Sequence, residues 1–347
     1  MKNKISLTLL LFTSFSLFGQ KKAIEAYIKA HHFNGSILVS KNGKTVLKSN
    51  FGLADRSFDI ENTDDTRYKI ASMTKLFTAV LILKSYEKGM LKLTTPIKNY
   101  LPNYKGEGAD KITIHHLLTH SSGMENCEKN GLEIYELPHT SDEILEKYCS
   151  GKLETPTGTQ FSYNNGDYIV LGKIIEVIYK KPYKTVLQEQ LLTPLNLKNT
   201  GLVEANTIYK NLASTYNYND STKVFEPSAL FYYENFFSAG AMYSTTSDLA
   251  TFSAALFGGK LLNNTTLNLM LTPYPQFWNT AYSVWVTKQT IGKNDYKVVE
   301  RYGSIQGANT LLAHFLEQNT TIILFSNTNA TNLGEFKNEI AKLIFEK

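Results

Sequence analysis

The strand signals in this chain lie at its two ends, and that placement constrains the fold more than any other feature. Near the start, residues 35–40 and 44–48 flank Asn42-Gly43, a pair that accepts the positive φ angles of a type I′ turn and so predicts a β-hairpin. Near the end, residues 281–289, 296–302, 310–316 and 320–326 are spaced as an antiparallel meander. From about residue 93 to 225, Thr95-Pro96, Leu101-Pro102, Gly106-Glu107-Gly108, Pro138 and Thr155-Pro156-Thr157-Gly158 punctuate short helical segments. Residues 169–179 read as a buried helix within that section, and residues 21–30 and 332–347 as helices framing the chain. Strands from both ends that pair into one sheet, covered by the terminal helices, satisfy all of these signals. The expectation is an α/β (α+β) fold: an antiparallel sheet domain from residues 21–92 and 226–347, and a mainly helical domain, 93–225, inserted between them. There is no internal repeat.

The hairpin leads into Tyr68-Lys69-Ile70-Ala71-Ser72-Met73-Thr74-Lys75, and residues 76–83 continue as an apolar run of good helix formers. Ser72 then lies at or near the first turn. Lys75, three positions on, projects from the same face and can touch it. A serine hydroxyl is a poor nucleophile until a base takes its proton, and a lysine whose pKa is lowered by burial can be that base. Ser85 and Lys88 repeat the spacing, but beside Tyr86, Glu87 and Gly89 they read as a solvated helix end.

Met1-Lys2-Asn3-Lys4 is basic, and residues 5–18 form an apolar or small stretch too short to span a bilayer comfortably. Residues 1–20 therefore read as a signal peptide, and the chain as exported, periplasmic or secreted, with no membrane span after its removal. Net charge is +5, too mild to suggest nucleic acid as a partner. Of the two cysteines, Cys127 and Cys149, spacing establishes neither a disulfide nor two free thiols. His115, His116 and His120 lack an acid in their segment to complete a zinc set, so no metal is expected.

A second chemical element is Pro156-Thr157-Gly158-Thr159-Gln160-Phe161-Ser162-Tyr163-Asn164-Asn165-Gly166. A tyrosine hydroxyl beside a lysine can shuttle a proton, and an amide two residues on can hold that lysine and a substrate carbonyl. Tyr163 follows Ser72 by 91 residues. S-x-x-K, then P-x-G-x-x-F-x-Y-x-N, then a glycine motif before the last strands is an order that resembles the serine β-lactamase-like family. Within it the chain is similar to class C β-lactamases, D-alanyl-D-alanine carboxypeptidases and related esterases. Residues 112–124 resemble that family's L-L-x-H-x-S-G segment, and residues 238–249 its S-A-G-G-x-x-S-T-x-x-D-L.

The resemblance, from about residue 22 to 347, implies a β-lactamase/transpeptidase-like fold and a serine hydrolase that forms an acyl-enzyme on Ser72. Lys75 coupled to Tyr163 would serve as proton acceptor and donor, Asn165 would orient the substrate, and no cofactor is needed. Arg301-Tyr302-Gly303-Ser304 falls where the family carries Lys-Thr-Gly or His-x-Gly. Arg301 could grip a substrate carboxylate but cannot exchange a proton as histidine does. Tyr302 lacks threonine's small hydroxyl. Gly303 permits close backbone approach, and the Ser304 N–H could join that of Ser72 as an oxyanion hole. The substrate expected is a small molecule or peptide-like ester or amide, with D-aminopeptidase, D-alanyl-D-alanine carboxypeptidase or true β-lactamase activity as alternatives. A non-catalytic binding or scaffold protein on the same fold is the other alternative. The sequence carries no signal for oligomeric state.

Overall fold

The computed structural model describes residues 22–346; the expected leader, residues 1–20, lies outside them. The central sheet is antiparallel and six-stranded. Its order is Trp285–Ile291, Asn294–Ile305, Ala308–Phe315, Thr320–Ser326, Gly35–Lys41, Lys44–Phe51. The N-terminal hairpin thus joins the C-terminal meander edge to edge, with Gly35 opposite Ser326 and Lys41 opposite Thr320. Asn42 and Gly43 take φ values of 52° and 72°, the left-handed pair that closes a two-residue hairpin without splaying the strands. The first meander strand begins at Trp285 rather than near 281. Residues 281–284 instead close a turn in which Ala281 N–H donates to the Val284 carbonyl at 2.7 Å.

Side-chain alternation assigns the two faces of the sheet. Ile37, Val39, Leu311, Ala313, Phe315, Ile322 and Leu324 pack under the first helix, residues 22–30, and the last, Leu333–Phe345. Leu38, Leu312, Ile323 and Phe325 face the other way and join one continuous core with the helical section. At the centre of that core is the helix Thr74–Glu87, in which every residue from Leu76 to Leu83 is fully buried. A helix apolar all round can only be central. Phe77 stacks on Phe252 at 4.1 Å, and Thr78 Oγ1 donates to the Ser238 carbonyl at 2.7 Å.

Residues 93–225 contribute the helices Ile114–Leu118, Ser141–Tyr148, Asn165–Tyr179 and Tyr183–Leu187. They also carry a two-stranded ribbon, Tyr216–Asn219 with Val224–Pro227. Strands of four residues are too short to show a period in sequence. The helix expected from 169 starts earlier, at Asn165, because the Asn164 side chain accepts the Gly166 N–H at 2.9 Å and caps it. Tyr163 and Asn165 therefore straddle a helix N-terminus. No helix among the described residues is long and apolar enough to cross a membrane.

Candidate active site

Ser72 lies in a single 3-10 turn, Ala71–Met73, that feeds the central helix. The turn is held from beneath by the strand Asn294–Ile305. A Cβ on Gly303 would fall 2.3 Å from the Ile70 carbonyl oxygen and 3.1 Å from the Met73 nitrogen. Only glycine allows strand and turn to approach so closely. Thr310, opposite Gly303, donates its hydroxyl to the same Ile70 carbonyl at 3.1 Å. Ala71 itself has φ 49°, a conformation that costs an L-residue energy and persists only where the surroundings enforce it.

Lys75 is fully buried. Its Nζ lies 3.1 Å from Ser72 Oγ, 2.6 Å from Asn165 Oδ1 and 2.9 Å from the Ala239 carbonyl oxygen. Burial lowers its pKa, and the charge of Arg301 pushes the same way against the opposing influence of Tyr163. Tyr163 Oη sits 2.8 Å from Ser72 Oγ. Burial alone would raise the phenol, but the charges of Lys75 and Arg301 overcome it and hold its pKa down to about 8. Asn165 Nδ2 donates to Glu128 Oε1 at 2.7 Å and to the Tyr135 hydroxyl at 3.2 Å. Ser72, Lys75, Tyr163 and Asn165, four residues from two distant motifs, thus converge on one hydroxyl.

Arg301 is present but turned inward, which corrects the substrate-carboxylate grip expected for it. It is 1% exposed. Nε and Nη2 donate to the Ser72 carbonyl at 2.9 and 2.7 Å, Nη1 to the Ser283 carbonyl at 2.9 Å, and Nη2 also to Tyr163 Oη at 3.0 Å. The fork that would hold a carboxylate instead ties the nucleophile's backbone to Tyr163. Tyr302 and Ser304, alternating with Arg301 and Gly303, place their side chains on the opposite face. The Tyr302 hydroxyl donates to Glu300 Oε1 at 3.0 Å and lies against Gly334 of the last helix, so its bulk does not enter the site.

The L-L-x-H-x-S-G and Tyr163 segments form one unit. The His120 carbonyl accepts the Ser162 N–H at 2.8 Å, and its ring lies 4.4 Å from that of Tyr163. A Cβ on Gly123 would fall 2.2 Å from the Thr155 carbonyl oxygen. His120 Nδ1 accepts the Asn164 N–H at 3.3 Å and meets Asp167 Oδ2 at 2.9 Å. Burial raises Asp167 well above its ordinary value, and burial with the charges of Lys75 and Arg301 holds His120 well below its own. The pair is therefore uncharged, with Asp167 donating its proton to His120.

The other histidines diverge: His115 bonds Tyr282 at 2.8 Å, and His116 caps its own helix through the Thr113 N–H at 3.1 Å. Among the described residues no group of three or more His, Cys, Asp or Glu could hold a metal ion. Cys127 and Cys149 are buried free thiols. In the second S-x-x-K match, Ser85 donates to the Leu81 carbonyl at 2.8 Å, while Lys88 reaches Gln190 at 2.6 Å. The aromatic cluster near 231–237 packs Tyr135, whose ring stacks on Phe236 at 3.6 Å and whose hydroxyl supports Asn165. Glu128, Tyr135 and Asp167 escaped the reading of the sequence. Only Asp167, two positions after Asn165, stood close to a recognised motif.

The family model described as Beta-lactamase matches residues 21–345. PbpX of Bacillus subtilis (strain 168), which carries a penicillin-binding-protein name, is 27% identical over 332 residues, 94% of this chain and 78% of that protein. Protein flp of Staphylococcus aureus (strain N315) is 27% identical over 319 residues, 89% of this chain; the chain spans 62% of the length of that relative. Among solved structures, D-amino acid amidase from Ochrobactrum anthropi SV3, complexed with L-phenylalanine amide, superimposes with a TM-score of 0.82. The identity there is 22%, over 94% of this chain and 98% of that one.

Proposed function

Since the chain belongs to the β-lactamase family of serine hydrolases, we propose that it hydrolyses an ester or amide through an acyl-enzyme on Ser72. One observation carries this reading: Ser72 Oγ is met at 3.1 Å by a fully buried lysine and at 2.8 Å by a tyrosine whose pKa is held down to about 8. The Lys75–Tyr163 pair, once it has lost one proton, takes the proton of Ser72 as Oγ attacks the carbonyl carbon. The N–H groups of Ser72 and Ser304 receive the developing oxyanion. As the tetrahedral intermediate collapses, Tyr163 returns the proton to the departing alcohol or amine, leaving the acyl group on Oγ. A water deprotonated by the same pair then attacks the acyl carbonyl, and Oγ leaves with the proton. Asn165 orients the lysine.

The inward Arg301 favours esterase or amidase chemistry over the penicillin and D-alanyl-D-alanine readings, because those substrates carry a carboxylate that this arginine does not present itself to. Export, with residues 1–20 removed, belongs to the same proposal; mass analysis of the mature N-terminus tests it. The central test is turnover of a short-chain p-nitrophenyl ester by the purified protein beside Ser72→Ala. Loss of turnover with the serine supports the acyl-enzyme. Equal turnover in both sinks the assignment, and no turnover in either favours a non-catalytic binding protein on this fold.

A further inference from the structure

The cations nearest Ser72 are consumed by the protein, while an acid beside the site is not. Lys75 and Arg301 spend their donors on Ser72, Asn165, Ala239, Ser283 and Tyr163. Lys69, on the strand leading into the nucleophile turn, lies 3.9 Å from the centre of the Tyr233 ring, its ammonium pushed down to about 8 by burial. Glu128 is half-buried and stands one amide away from Lys75. Its Oε1 accepts from Asn165 Nδ2 at 2.7 Å and from the Tyr135 hydroxyl at 2.5 Å. Both donors are neutral. Among the described residues no lysine, arginine or histidine forms an ion pair with this carboxylate, and Oε2 takes no hydrogen bond and stays open to solvent. A carboxylate fixed in place by neutral donors, with one oxygen free toward the cleft, is a receptor for an ammonium group.

We propose that Glu128 is an ammonium-recognising subsite, making α- or β-aminoacyl esters and amides the preferred acyl donors and carboxylate-bearing ones the poorest. The inference rests on the acyl-enzyme reading and names its substrate class. The same Asn165 amide that steadies Lys75 steadies Glu128, so an acyl group whose carbonyl sits at Ser72 carries an amine on its first or second carbon toward Oε2. Chemistry is unchanged: the Ser72 oxygen–acyl bond forms, the bond to the alcohol or amine breaks with its proton supplied through Tyr163, and water releases the free amino acid.

The experiment compares kcat/KM at pH 7 for the p-nitroanilides of alanine, β-alanine, N-acetylalanine and N-succinylalanine, both enantiomers where they exist. p-Nitrophenyl acetate is run on the same samples. Glu128→Gln keeps an acceptor oxygen for Asn165 and Tyr135 while removing the charge. The wild-type protein is expected to favour a free ammonium over its acetylated counterpart by roughly 10- to 100-fold, the range of a charged hydrogen bond. Glu128→Gln is expected to collapse that ratio toward one. Ser72-dependent acetate turnover with no preference for the ammonium, or with a preference that Glu128→Gln leaves unchanged, overturns the subsite and leaves the acyl-enzyme standing. Should nothing turn over, the acyl-enzyme reading falls, and calorimetric titration of Ser72→Ala with alanine and N-acetylalanine p-nitroanilides still decides the subsite. Tighter binding of the ammonium form supports it; equal binding overturns it.

Discussion

Replacing Arg301 by glutamine should move the acidic limb of the pH–rate profile, because its charge lies within hydrogen-bond distance of the phenol. Tyr163 Oη is 3.0 Å from Arg301 Nη2, and the tyrosine's pKa is held down to about 8 by Lys75 first and Arg301 second, against burial. Two unit charges about 4 Å apart interact by roughly 4 kcal/mol at an effective dielectric near 20. At about 1.4 kcal/mol per pKa unit that is ~3 units, and water entering the vacated volume reduces it to ~2. The Lys75–Tyr163 pair must lose a proton before it can accept one, so kcat/KM rises with pH through the pair's apparent pKa. In the wild-type protein this rise should be centred near 8; in Arg301→Gln it should centre about 2 pH units higher, costing roughly 100-fold at pH 7 and recovering in alkali. Stopped-flow hydrolysis of a p-nitrophenyl ester from pH 5 to 10.5, blank-corrected, gives the profile. Arg301→Lys keeps the charge and should restore most of the wild-type limb. Melting curves of all three proteins control for the Ser72 and Ser283 carbonyls that lose a donor, about 1–3 kcal/mol each where left unpaired. A loss of rate uniform across pH, with the limb unmoved, would refute the electrostatic account and leave Arg301 a brace for the nucleophile turn.

Three further outcomes follow from buried groups near the site and in the sheet. Gly303→Ala should lower the melting temperature and abolish turnover, since its Cβ would meet the Ile70 carbonyl oxygen at 2.3 Å; overpacking of this kind costs about 1–3 kcal/mol, and unchanged melting and activity would show that strand and turn can part. Asp167→Asn should keep turnover within a few-fold because an amide can replace the donated proton, and should gain stability over wild type as pH rises above the ordinary carboxylate value. The folded Asp167 holds a proton that the unfolded chain releases there; damage as large as that of Asp167→Ala would mean the carboxylate is ionised. His314 and His115 are both pushed down to about 4 by burial, so the unfolded chain takes up protons that the folded one refuses as pH falls from 6.5. Stability should therefore be full above about 6.5 and decline toward 4, and a melting temperature flat over that window would contradict it.

The architecture was legible where local chemistry decides it. Asn42-Gly43 admits left-handed dihedrals, and the four terminal runs are long enough to show a period. The apolar run after Ser72 could only be central. Spacing likewise brought Ser72 and Lys75 together, because three residues on a helix are a contact. What stayed hidden is long-range. Arg301 was read as facing a substrate because its position in the strand motif says nothing about its rotamer. The Ser283 turn, absent from any strand pattern, supplies the carbonyl that draws the guanidinium inward. Asp167 sits on the same helix as Asn165, yet its meaning depends on His120, 47 residues earlier. Glu128 lies in a loop of no period whose neighbours come from two distant elements.

The charges around Ser72 impose an asymmetry on the cleft. Three of the groups that meet there carry or share positive charge, and each is turned toward protein acceptors: Lys75 toward Asn165 and Ala239, Arg301 toward Ser72 and Ser283, and both toward Tyr163. His120, which would add a fourth, is kept neutral by burial and by those same charges. Inward positive charge of this kind lowers the tyrosine's pKa without attracting an anion from solvent, since buried donors already satisfied offer a ligand little. The outward-facing charge is then that of Glu128. A site so arranged separates two tasks that a solvent-facing cation would combine, activating the nucleophile and selecting the substrate, and it does so by turning one arginine through the width of its own side chain.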